Sequence, residues 1–190
     1  AVTNSNGSIY LALMNSYGDK VDQAAMPLLA INDGPMLTMI AMGIGGLADI
    51  PFMALVAAIG PILVGMILGN IDRDLSDFLA PAGSILLPFV GFCLGSGMNL
   101  TNIVKGGAQG ILLGLITCFI GGAFIVLCDR FISRRPGYAG WAVATTAGNA
   151  VAVPAVIAGA DQSWAAYADL ATSQVAASSI LTAILVPIIV

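Results

Sequence analysis

Six charge-poor apolar stretches and a shorter one at 1–14 occupy nearly all of this chain, and two of these are interrupted by similar small, polar strings, Thr3-Asn4-Ser5-Asn6-Gly7-Ser8 and Thr145-Thr146-Ala147-Gly148-Asn149-Ala150. In hydrocarbon every backbone N–H and C=O must find a partner within the protein. Polar strings that weaken a helix therefore persist at membrane depth only where they line a site or are buried in protein. The pattern predicts an all-α, polytopic membrane protein with broken helices, a design used by secondary transporters. Function is expected at the two breaks.

Composition supports the membrane class independently. Hydrophobic residues make up 58% of the chain and charged ones 8%, against about 25% charged in a soluble domain. The windows 50–71, 78–104, 106–128, 136–160 and 170–190 carry no charge, and each reaches the ~20 residues that cross a bilayer as a helix. A sixth, 24–48, holds the single charge Asp33, and 1–14 reads as half a helix. Six basic residues in all argue against a nucleic-acid partner. Cys93, Cys118 and Cys128 show no metal or redox spacing and read as small hydrophobes. Histidine is absent, so a proton carrier must be a carboxylate. No cofactor is implied, and a start at Ala1 in mid-pattern predicts that part of a longer protein lies upstream.

Lysine and arginine set the orientation. The cluster Arg130, Arg134 and Arg135 predicts a cytoplasmic loop, and alternation of spans then puts the Arg73 and Lys20 loops on the same side, leaving Lys105 as the outside cation. The placement expected is multi-pass in a membrane, with the Lys20, Arg73 and Arg130–Arg135 loops in the cytoplasm.

The ends of the chain resemble each other. Asn6 and its following apolar run, a polar turn and a span with Asn32 parallel Asn149, its run, a turn and a span with Gln174, at an offset of 143 residues from Asn6 to Asn149. Residues 1–45 then read as the last two helices of one five-helix repeat and 51–190 as a complete second repeat. An odd number of spans inverts the second copy relative to the first.

Several strings carry a family resemblance: Ser5-Asn6-Gly7-Ser8-Ile9-Tyr10-Leu11-Ala12-Leu13, Tyr17-Gly18-Asp19-Lys20, Asn32-Asp33-Gly34-Pro35, Gly65-Met66-Ile67-Leu68-Gly69-Asn70, Gly95-Ser96-Gly97-Met98-Asn99-Leu100 and Thr146-Ala147-Gly148-Asn149-Ala150-Val151-Ala152. In order and spacing, over essentially all 190 residues, the chain resembles the bacterial 2-keto-3-deoxygluconate permeases. The resemblance implies a proton-coupled importer of that sugar acid, with a ten-helix inverted-repeat architecture like that of the bile-acid sodium symporters. Relative to the family, the first three or so helices are missing.

A hydroxyl-rich carboxylate must be held without a basic side chain, because no lysine or arginine lies within a span. A half-helix starting after a break offers about half a positive charge and unpaired N–H donors. Ser5, Asn6 and Gly7 in one break, and Thr146, Gly148 and Asn149 in the other, are the candidate substrate residues. Helix capping without ligand contact is the other role open to Asn6 and Asn149. Asp33, followed by Gly34 and Pro35, is the one acid well inside a span and the leading proton carrier. A central ionised aspartate costs roughly 3 kcal/mol on translocon scales. Asp169, opening the last span, is the second candidate. Asn32, Asn99 and Gln174 either bridge helices or touch substrate. An intramembrane aspartyl protease needs a catalytic pair, and Asp49 falls in a loop. Sodium coupling, a passive channel and a non-transporting scaffold are the alternatives to proton symport.

Overall fold

The computed structural model describes residues 1–32, 34–96 and 100–190. Among these, regular structure is entirely helical. Asn6 takes an extended conformation and its Oδ1 accepts the Ile9 N–H at 3.1 Å, which starts α1 at Gly7–Tyr17. Gly18 ends that helix, and a capping box between Asp19 and Asp22 starts α2 at Lys20–Ala24. The expected span 24–48 is two helices, α3 (Met26–Asn32) and α4 (Met36–Ile44), rather than one. Gly34 holds φ +92°, and Pro35 has no N–H to continue a helix, so the chain turns there. Position 33 itself lies outside the described residues.

Next come α5 (Phe52–Ile71), α6 (Arg73–Ser96) and α7 (Leu100–Leu115). Asp72 caps α6 through its Oδ1, 2.9 Å from the Leu75 N–H. A π turn, Ile116–Gly121, joins α7 to α8 (Gly122–Phe131). The second interrupted segment comprises α9 (Tyr138–Val143), non-helical residues 144–147, a 3-10 turn at Gly148–Ala152, and α10 (Val153–Ala160). Another short 3-10 turn leads into α11 (Ala165–Ile189). Among the described residues, four helical runs, Phe52–Ile71, Gly107–Phe131, Tyr138–Ala160 and Gln162–Ile189, are long and apolar enough to cross a membrane.

Glycines fix the closest helix contacts. A Cβ on Gly110 would lie 2.5 Å from the Gln174 carbonyl oxygen and 2.6 Å from Ala177 Cβ, so α7 and α11 approach to backbone distance. Likewise a Cβ on Gly140 would stand 2.9 Å from Val126 N and Cα, and one on Gly122 would meet the Trp141 ring at 2.8 Å, which seats α9 on α8. Trp141 is therefore a packing partner of α8. Buried side chains gather around the two broken segments: Tyr10, Leu13, Met14, Cys118, Ala142 and Val186 beside α1 and α9, and Met39, Val153 and Ile157 between α4 and α10. By contrast, α5 turns Leu63, Val64, Ile67 and Leu68 outward, a surface suited to lipid.

Candidate functional site

The two interrupted strings, more than a hundred residues apart, are hydrogen-bonded to one another. The Ala147 N–H donates to the Asn4 carbonyl at 2.6 Å, the Asn6 N–H to Thr145 Oγ1 at 2.7 Å, and Thr146 Oγ1 to the Val2 carbonyl at 2.6 Å. Backbone groups freed by each break are thus satisfied by the other, which is how non-helical chain is tolerated at depth. Thr145 and Thr146 are completely buried, and Asn4 and Ser5 are each 2% exposed.

A third element, α11, supports the junction. Thr182 Oγ1 accepts the Thr146 N–H at 2.9 Å, Ser178 Oγ lies 2.8 Å from Thr146 Oγ1, and Ser179 Oγ donates to the Thr146 carbonyl at 3.1 Å. Thr146 is therefore a structural knot. Thr146→Val keeps the side-chain shape but leaves the Val2 carbonyl and Ser178 hydroxyl a partner short. We expect this to cost about 1–3 kcal/mol, read as a lowered melting temperature of the purified protein. An unchanged melting temperature would remove the knot.

The candidate residues separate into distinct roles. Asn6 caps α1. Asn149 does not cap: the break falls earlier, at 144–147, the N-terminal flank of the 3-10 turn is Ala147, and Asn149 sits half-buried inside that turn. A Cβ on Gly7 would meet the flexible tip of Met26, whereas Gly148 is exposed and a Cβ there would meet nothing within 4 Å. Ser5 Oγ is buried and finds no hydrogen-bond partner among the described residues.

Gln174 donates from Nε2 to Gln109 Oε1, bridging α11 and α7. Asn32 Nδ2 donates to the Thr3 carbonyl at 3.1 Å, and Asn4 Nδ2 to the Gly34 carbonyl at 2.6 Å. Asp33 and Asn99 lie outside the described residues, but both neighbours of position 33 are thereby tied to the first string. Beside that string opens a cavity of about 390 Å³ lined by Thr3, Asn4, Asn32 and Thr38 with apolar partners, a volume within the range of small-molecule sites. Asp169 is not part of this grouping. It is exposed, nine residues before Ser178 on α11, or roughly 13 Å along the helix.

Loops pair in two sets. Arg135 forms ion pairs with Asp19 at 2.7 Å and Asp22 at 2.9 Å, joining the Lys20 and Arg130–Arg135 loops. Asp161 Oδ2 accepts the Asp49 N–H at 2.8 Å and Trp164 Nε1 donates to the Leu47 carbonyl at 3.0 Å, joining the other two. Hydrogen bonding to Arg135 holds the Asp19 carboxyl below its ordinary range, and the Asp22 and Asp19 carboxylates raise the Arg135 guanidinium further. Sequence reasoning put the Arg135 and Lys20 loops on one side but missed the pairing of Arg135 with Asp19 and Asp22, since nothing local connects positions over a hundred residues apart. It also missed Ser178 and Thr182, although Gln174, Ser178 and Thr182 mark one helix face at a spacing of four.

The whole chain, residues 1–190, matches the family profile described as 2-keto-3-deoxygluconate permease. It is 50% identical over 189 residues to 2-keto-3-deoxygluconate permease 1 of Salmonella typhimurium, covering 100% of this chain and 59% of that protein. To the 2-keto-3-deoxygluconate permease of Bacillus subtilis it is 42% identical, covering 99% and 57%. To that of an Enterobacter species it is 44% identical, covering 100% and 57%. The chain thus spans less than three-fifths of the length of these relatives. No solved structure matches it. A full-length profile match and identities of this size establish that the chain belongs to the 2-keto-3-deoxygluconate permease family.

Proposed function

We propose that this chain carries the substrate-binding crossing of a secondary transporter that imports 2-keto-3-deoxygluconate by proton symport across the bacterial inner membrane. One observation carries the reading: Ser5 Oγ is buried and without a partner among the described residues, although Asn4 and Asn6 on either side of it are hydrogen-bonded to the second string. A buried hydroxyl left unpaired is costly, and a hydroxyl or carboxylate oxygen of substrate would relieve it. The start of α1 adds positive potential, and the open space at Gly148 lets a ligand approach the backbone. Ser5, Asn6, Gly7, Thr146, Gly148 and Asn149 form the crossing in this reading. Thr146 acts there through its hydrogen bonds to Val2 and α11.

The same reading treats residues 1–45 and 51–190 as parts of two inverted repeats, with the Lys20, Arg73 and Arg130–Arg135 loops cytoplasmic. Pairing of loops that alternation assigns to one side supports it. Asp33 carries the proton, because the residues flanking it are pinned to the crossing. The deciding experiment is uptake of labelled 2-keto-3-deoxygluconate by the full-length protein in vesicles, with pH and sodium gradients imposed separately. Uptake driven by the pH difference is expected. Drive by sodium alone would make it a sodium symporter, and gradient-insensitive flux would make it a channel.

Ser5→Ala separates binding from folding. It removes a hydroxyl with no internal partner, so stability should hold while affinity for the sugar acid falls about 10-fold, the worth of one good hydrogen bond. Asn6→Ala should lower affinity by 10- to 100-fold and also stability, by about 1 kcal/mol, through the lost cap. Titration calorimetry with thermal melts distinguishes the two. Unchanged affinity in both variants would make these residues purely structural.

A further inference from the structure

The half-helices α1 and α9 are fastened together at the ends remote from the crossing. Arg135, three residues before α9, puts Nη2 2.7 Å from Asp19 Oδ1 and 2.9 Å from Asp22 Oδ2, while Nε donates to Asp22 Oδ1 at 3.0 Å. The fork engages Asp22 through both oxygens, the geometry that makes guanidinium–carboxylate pairs specific. Both acids are preset: Asp19 Oδ1 accepts the Val21 and Asp22 N–H groups at 2.8 and 3.0 Å, and Asp22 Oδ2 accepts the Asp19 N–H at 3.0 Å. The Tyr10 hydroxyl donates to the Asp22 carbonyl at 2.7 Å, tying this turn back to α1. Tyr17 and Tyr138 add a ring contact at 6.5 Å. In the loop before α9, Arg134 holds φ +55°, a conformation a side chain disfavours, immediately before Arg135.

The cluster joins strong and weak parts. Asp22 is 8% exposed, whereas the Asp19 side chain is 59% exposed and open to water. Losing the guanidinium would strand a buried carboxylate, which drives the turn to swing outward. Beneath the cluster Tyr10, Leu13 and Met14 of α1 meet Ala142 of α9 over the fully buried Cys118. At the opposite ends of the molecule the loops are joined by hydrogen bonds of Asp161 and Trp164 to backbone groups, with no ion pair among the described residues.

We propose that Arg135, Asp19 and Asp22 form an ion-pair latch that keeps α1 and α9 apposed and closes the crossing toward the side of the Lys20 and Arg130–Arg135 loops; its release opens that path. The proposal rests on the transport reading for its purpose, but its first test does not. In full-length protein carrying Cys93→Ser and Cys128→Ser, Cys118 reports on the interface under the latch through its reaction with N-ethylmaleimide. Arg135→Gln should speed alkylation of Cys118 about 10-fold or more. Exchanging the charges, Arg135→Asp with Asp22→Arg, should restore protection. An unchanged rate in Arg135→Gln overturns the latch. A second arm covers loss of folding: Asp19→Cys with Arg135→Cys, joined by a short bifunctional maleimide, should stop uptake of labelled 2-keto-3-deoxygluconate while binding persists. Undiminished uptake in the cross-linked protein overturns the latch equally. Failure of the unmodified protein to bind or import the sugar acid would count against the transport reading alone.

Discussion

Replacing Asp33 by asparagine should abolish accumulation of 2-keto-3-deoxygluconate against a gradient while sparing exchange of external for internal substrate. Asparagine matches the protonated acid in size and hydrogen bonding but cannot gain or lose a proton. A carrier locked in the loaded form can still shuttle substrate both ways; it cannot use a pH difference. The chain has no histidine, and Asp33 is the one acid within the apolar stretch 24–48; at membrane depth its ionisation would cost roughly 3 kcal/mol. Its neighbours Asn32 and Gly34 are hydrogen-bonded to residues 3 and 4, so a change of charge at 33 bears on the junction where substrate is proposed to sit. The measurement is uptake on an imposed pH difference beside counterflow in the same vesicles. If the variant still concentrates substrate, coupling lies elsewhere and Asp169 is the next carboxylate to test.

Gly110→Leu should cost the protein its fold. Even a Cβ at this position would lie 2.5 Å from a carbonyl oxygen and 3.0 Å from the Cα of Gln174, and neither is a flexible tip that can turn aside. The α7–α11 pair must separate, and with it the Ser178 and Thr182 support beneath Thr146. Overpacking of this kind typically costs 1–3 kcal/mol and more where backbone is struck. Gly60→Leu is the control, because a Cβ there meets nothing within 4 Å. The expected result is little monodisperse Gly110→Leu protein after extraction and a normal yield of Gly60→Leu. Equal yields and equal melting temperatures would show that the close approach is not needed.

Sequence and structure agree where one local force dominates. Four of the five charge-free runs, 50–71, 106–128, 136–160 and 170–190, coincide with apolar helices of membrane-crossing length among the described residues, because hydrocarbon leaves the backbone few other solutions. The polar strings at 3–8 and 145–150 were legible for the same reason. Boundaries within them were not: whether the break falls at Asn149 or at 144–147 depends on which carbonyls the opposite string and α11 accept, a tertiary matter. The split at 33–35 was half visible, since Gly34-Pro35 signalled weakness but not the left-handed turn that divides α3 from α4. Bridging helices was one of two roles expected of Gln174, but its partner Gln109 is set by how the helices are placed. The Arg135 cluster was invisible, because charges in separate loops meet only once the helices between them are placed.

The π turn at Ile116–Gly121 has a mechanical meaning. Small or buried residues at 110, 114, 118, 122 and 126 follow a spacing of four, which in an α-helix of 3.6 residues per turn drifts by about 40° each step. Carried from Gly110 to Val126, that drift would turn the stripe almost to the far side, yet Gly110 faces α11, Val126 faces α9, and those two helices touch. The wide turn absorbs the mismatch as a vernier does, letting one rod mesh with two neighbours of different pitch. The residue count between Gly114 and Gly122 is therefore a dimension of the machine: dropping one residue there would rotate everything beyond it by about 100° and unmesh the broken helix from the long one.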